Sequence, residues 1–229
     1  MTRAVVVRRA SGADLDALSV VVAQALSAGP LGGWLVPDAT ERPVALRRYA
    51  RLVVSWGLRD GLVDTTDDRS AVAVWYPRVE VPVPSAVWTF DLHRALGPRA
   101  SRFALLHACL DAVVPHIPHH HLAHVAARPG RDDAVPVLLA VHHRGLDAEG
   151  LPSYAEVPGG RPREGVLAGL GYEPRSPILL ESGGPALWRM WRPTPGSSRA
   201  GGGLPRRDRL CRSGTPFRGQ LIPVPPRSP

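Results

Sequence analysis

A mixed α/β domain with a central sheet flanked by helices is the fold class this chain predicts. Two observations carry that reading. Between residues 3 and 192, segments with apolar residues at helical spacing alternate with short β-branched runs. Beyond residue 193 that patterning stops, leaving Pro, Gly, Ser and Arg with no sustained apolar period. A segment of that kind cannot offset its ordering entropy by burial. The chain of 229 residues therefore divides into one domain, 1–192, and a disordered tail, 193–229.

The elements follow in order. Residues 4–9 are a β-branched run and predict the first strand. Ser11 to Asp14 resembles a capping box, with Asp where Glu or Gln is usual. Leu15, Leu18, Val22, Ala25 and Leu26 then recur at helical spacing up to the breaker Gly29-Pro30. A second helix runs from Asp38 to near Gly61, its face including Leu46, Tyr49, Val53 and Trp56. Residues 62–66 and 70–76 predict strands joined by a turn at 67–69, and the second, nearly all apolar, predicts cover on both faces. Pro77, Pro82 and Pro84 enforce an extended connection, and helices at 87–96 and 100–114 follow. A strand at 121–127 leads into the loop Arg128-Pro-Gly-Arg131 and a helix at 137–149. Gly150, which takes a left-handed conformation cheaply, stops that helix. A short strand at 153–156, the segment 165–172, and a closing pair at 178–180 and 186–191 around the turn Gly183-Gly184 complete the domain.

Charge and composition exclude several classes of function. The net charge is +8, but residues beyond Pro193 carry seven arginines and one acid, so the body holds only about +2. A nearly neutral body with a basic tail does not predict a nucleic-acid-binding face. Arg206, Arg207 and Arg209 read as a solvated tail. All 28 basic residues are arginine, so no lysine serves as nucleophile or base. Two cysteines make no disulfide framework, and neither an N-terminal signal segment nor a membrane-length apolar run is evident. These features predict a cytoplasmic protein without membrane association.

The element order, the piece from Pro30 to Asp38, Arg47-Arg48-Tyr49, Trp75-Tyr76-Pro77, the run 146–152 and the run 185–191 together resemble the GCN5-related N-acetyltransferases (GNATs). The resemblance covers about residues 3–192. It implies a central sheet that splays beside residues 121–127, acetyl-CoA as co-substrate, and direct transfer to a small-molecule or peptide amine; it admits a homodimer. By resemblance, His124, Val125 and Ala126 line the acetyl and pantetheine groups, largely through backbone. Arg128, Arg131, Asp133, Ala134 and Val135 fall on the pyrophosphate loop, and His124 and Glu156 are the candidate bases.

That loop departs from the family pattern, Gln/Arg-x-x-Gly-x-Gly/Ala at a helix start. Here it reads Gly130-Arg-Asp-Asp-Ala-Val-Pro136. The glycines are missing, Asp132 and Asp133 place carboxylates where an anion belongs, and either is expected to cap the following helix. Pro136 suits a first helical turn but removes an N–H. Leu167 stands four residues before Gly171-Tyr172, where many family members carry the tyrosine that acts as general acid. A second reading follows: a catalytically impaired GNAT-fold binding module with weak or no CoA binding.

Other constellations have plainer readings. His116, His119, His120, His121 and His124 fall within nine residues. Regular strand alternation puts His120 and His124 on one face and His121 on the other, with no carboxylate or cysteine spaced to complete a metal site. No metal is expected. His142 and His143 are expected at the surface of their helix, and Tyr154 in the core. Trp34, Trp75, Tyr76 and Trp88 either wall an acceptor pocket or pack in the core.

Overall fold

The computed structural model describes residues 5–79 and 86–196. Most of the expected tail and the prolines at 82 and 84 lie outside the described residues. A seven-stranded sheet has the order β1-β2-β3-β4-β5-β7-β6. Its strands are β1 (Val7–Arg9), β2 (Leu62–Thr66), β3 (Ala71–Arg78), β4 (His119–Ala127), β5 (Ser153–Pro158), β6 (Glu173–Leu179) and β7 (Ala186–Arg192). The helices are α1 (Leu15–Ala28), α2 (Pro30–Leu35), α3 (Arg42–Asp60), α4 (Ala86–Leu96), α5 (Ala100–Asp111), α6 (Ala134–Glu149) and α7 (Val166–Gly169).

Two cores sandwich the sheet. On one face α1 to α5 bury Leu18, Leu46, Val53, Trp56 and Phe103 against Val72, Val74 and Tyr76. On the other α6 and α7 bury Leu138, Leu139 and Leu167 against Ala71, Ala73, Trp75 and Leu122. The side chains of β3 alternate between these cores, so the doubly covered strand expected from its composition is found. Trp34, Trp75 and Tyr76 are core residues, and Trp88 stacks on Trp56 with ring centroids 4.6 Å apart.

Local chemistry explains most boundaries. Asp14 Oδ2 accepts the Ser11 N–H at 2.9 Å, the capping arrangement expected there. Gly29 ends α1, but Pro30 opens the unexpected short helix α2, since proline suits a first helical turn. Gly150 at φ 67° closes α6, and the Leu151 N–H returns to the Leu146 carbonyl at 2.9 Å. Edge strand β6 begins at Glu173, earlier than the apolar run signalled, because Pro174 and Pro177 disguise it; prolines are tolerated on an edge.

The feature that positions a site is the junction of β4 and β5. These parallel strands pair only at His120↔Ser153, His121↔Tyr154 and Leu122↔Ala155. Beyond that point β4 stays with β3 and β5 with β7, so residues 123–127 and 156–158 separate into the expected wedge. A bulge at Ala123 also interrupts the β3–β4 register, since Val74 faces His124 while Trp75 faces Leu122.

Candidate functional site

That bulge overturns the alternation expected for the histidines. One extra residue in β4 shifts every later side chain to the opposite face. His121 and His124 therefore share the face covered by α1–α5, whereas His120 lies on the face covered by α6. His124 stands edge-on to Tyr49 of α3, with centroids 6.2 Å apart, and His120 Nδ1 is 3.0 Å from His142 Nε2.

At the apex of the wedge His121 Nε2 donates to Glu156 Oε2 at 2.7 Å. Their side chains are only 7% and 6% exposed. Glu156 Oε1, His121 Nδ1 and the Tyr154 hydroxyl are buried without a hydrogen-bond partner among the described residues. Burial first, and then the Glu156 carboxylate, raise the pKa of Tyr154. Nearby, the Tyr49 hydroxyl is 3.1 Å from His107 Nε2 of α5. Burial lowers His107 to about 4. It also lowers His124, to about 3, with the His107 and His121 rings adding to the effect.

His124 is neutral at pH 7, but its conjugate acid is so strong that it gives little driving force for taking an ammonium proton. Glu156 is held by His121 and keeps Oε1 without a hydrogen-bond partner among the described residues. His121, His107 and Tyr49 were not singled out for this role in the sequence. Their convergence requires the bulge and the packing of α3 and α5, neither of which leaves a local signal.

On the opposite face the expectation of surface histidines fails. The His142 side chain is 5% exposed, and its ring stacks on Trp75 with centroids 4.0 Å apart. His142 Nδ1 donates to Asp64 Oδ2 at 2.8 Å, so in the neutral ring Nε2 accepts from His120. Arg9 completes the chain at 2.7 Å from Asp64. His143 is buried as well, 2.9 Å from the Tyr172 hydroxyl.

The turn from β4 into α6 carries two carboxylates and several internally bonded amides. The helix begins at Ala134, three residues before the expected start, and Asp133 at its N-cap makes no side-chain cap bond. Backbone turns do the capping. The N–H groups of Arg131, Ala134 and Val135 donate to the carbonyls of Arg128, Arg131 and Asp132, and Pro136 has none. Asp132 and Asp133 are exposed. Arg131 is bound by Asp68 and lies 3.5 Å from Asp133. Hydrogen bonds from Thr66 and Ser70, then the Arg131 guanidinium, hold the Asp68 carboxyl well below the usual carboxylate range. Arg128 is exposed, its N–H tied to the Ser70 carbonyl at 2.7 Å. Leu167, at the family's tyrosine position, is buried in the α6 and α7 core.

No protein-family model and no curated protein matches the chain. Solved structures do. One is a histone acetyltransferase HPA2 and related acetyltransferase from Corynebacterium glutamicum, at TM-score 0.61 and 21% identity over 84% of this chain and 97% of that one. Arylalkylamine N-acetyltransferase 2 from Aedes aegypti superposes at TM-score 0.53 and 13% identity, covering 83% and 99% of the two chains. A mutant agmatine N-acetyltransferase gives 0.53 and 12%, covering 82% and 98%. Identities this low establish the fold alone. The described residues have the fold of the GCN5-related N-acetyltransferases.

Proposed function

We propose that this chain transfers the acetyl group of acetyl-CoA to a small-molecule or peptide amine. The observation that carries the reading is the buried Glu156–His121 pair at the apex of the β4–β5 wedge. Strands paired on one side only leave alternate N–H and C=O groups directed into the gap, a suitable lining for an extended amide arm. The thioester supplies the acyl group, and the chain's own residues manage the proton. An alkylammonium must lose its proton before nitrogen can attack. Glu156 accepts that proton, and His121 holds the carboxylate in place. A general acid matters less, because a thiol of pKa about 8.5 leaves as thiolate near neutral pH at small cost. Leucine at position 167 is therefore tolerable.

Amine substrates are supported by the agmatine and arylalkylamine transferases that share the fold. Among the described residues no helix is long and apolar enough to cross a membrane. The test is acetyl transfer by the purified protein to agmatine, an arylalkylamine and a short peptide. Glu156→Gln should lower kcat/KM by about 100-fold or more with acetyl-CoA affinity within about twofold. Failure to transfer to any of the three, with acetyl-CoA bound no tighter than about millimolar, favours the second reading, a GNAT-fold binding module. The engagement of Arg131 by Asp68 is the observation on that side.

A further inference from the structure

With Arg131 engaged by Asp68 and two exposed carboxylates on the β4–α6 turn, the phosphate groups of an acyl donor are better served by cations elsewhere. A cleft of about 540 Å³ lies between the β5–α7 connection and β6, over Trp188 of β7. Arg161, Arg163 and Arg175 line it, against one carboxylate, Glu164. An adjoining hollow of about 380 Å³ shares Arg163 and Arg175. Arg161 pairs with Glu164 at 3.1 Å and Arg175 with Glu173 at 3.3 Å. Arg163, exposed, is left without a carboxylate among the described residues.

The β6 register shifts between Pro174 and Pro177, which takes Arg175 and Ser176 out of the ladder. Behind them Arg189 Nη2 donates to Ser176 Oγ at 2.6 Å, leaving the Ser176 hydroxyl proton available. Arg175 Nε and Trp188 Nε1 are buried without an acceptor among the described residues. Every unsatisfied group here is a donor, and leaving a buried donor unpaired is costly. An anion that reached these groups would relieve that cost. Guanidinium groups match phosphate geometry, and the half-buried Trp188 ring offers a flat surface to a base. The connection carrying Arg161 and Arg163 continues directly from β5, one wall of the wedge.

We propose that this cleft, rather than the β4–α6 turn, holds the phosphorylated nucleotide end of the acyl donor, with Arg163 and Arg175 on phosphate and Trp188 beside the base. The proposal rests on the acyl-CoA reading above, and the experiment separates their failures. The full chain is titrated calorimetrically with CoA, dephospho-CoA and adenosine 3′,5′-bisphosphate at low and high salt. The bisphosphate should bind. The double variant Arg163→Gln/Arg175→Gln should weaken both CoA and bisphosphate by about tenfold or more. Arg144→Gln, an exposed charge on α6, serves as the matched control, and thermal midpoints confirm folding. If Arg128→Gln weakens CoA and the cleft pair does not, the cleft is overturned while acyl transfer stands. Binding of the bisphosphate through the cleft without binding of CoA overturns it in favour of a free nucleotide. Failure of all three ligands to bind overturns it as well. CoA binding that depends on the cleft, in a protein that transfers no acetyl group, upholds the cleft and removes the enzyme.

Discussion

Asp68 shows how one side chain changes the meaning of a loop. It accepts from Thr66 Oγ1 at 2.7 Å and from the Ser70 N–H at 3.1 Å, so the β2–β3 turn presents a fixed carboxylate to the next crossing. Arg131 pairs with that carboxylate. Both side chains are more than a third exposed, so the ion pair itself contributes no more than about 1 kcal/mol. Asp68→Asn should therefore cost about that much stability in a denaturant titration. With the phosphates held by the arginine cleft, it should leave CoA affinity within about twofold. A tenfold gain in affinity on this substitution would return the phosphates to the β4–α6 turn.

At the scale of elements, the packing of α3 on the sheet sets how closely that face of the sheet is covered. Gly57 lies where an added Cβ would meet Val74 Cγ1 at 2.6 Å and Val63 Cγ2 at 2.9 Å. The helix thus approaches β2 and β3 over bare backbone, bringing Tyr49 and Trp56 of the same helix down to the sheet. Propensity alone says that Gly→Ala inside a helix gains about 1 kcal/mol. Overpacking a filled core costs about 1–3 kcal/mol. The contact distances decide for the second effect. Gly57→Ala should lower the chemical-denaturation midpoint, and a rise would mean that α3 has room to move off the sheet.

For the molecule as a whole, buried histidines make stability depend on pH. Burial lowers His107, His119, His120 and His143 to about 4, and His124 to about 3. In the unfolded chain each titrates near 6.5. Between those values the unfolded state binds more protons than the folded state, so stability rises with pH there. The contribution is complete above about pH 6.5 and is lost as pH falls toward 4. Each group contributes at most about 1.4 kcal/mol per pH unit within that window. Calorimetry should show the thermal midpoint falling by at least about 10 °C from pH 7.5 to pH 5. A flat profile across that interval would mean that these rings are solvated or already charged in the folded state.

What the sequence determined by itself was local. Element types and order, the Gly150 stop, the Ser11–Asp14 cap and the doubly buried β3 were legible, because hydrophobic period and cap chemistry act over a few residues. The splayed sheet was legible through the family resemblance, and Glu156 was named as a candidate without the partner that holds it. Only the tertiary structure decided which face each histidine takes. The bulge at Ala123 exists in the pairing of β4 with β3, and one inserted residue moves His124 and every later residue of β4 to the face opposite the one that regular alternation assigns. Tertiary packing likewise buried His142 beneath Trp75 and paired Arg131 with a residue 63 positions earlier. It started α6 three residues early, since backbone turns supplied the cap that the aspartates were expected to give. Contacts between residues far apart in the chain decide these features, and no local pattern encodes them.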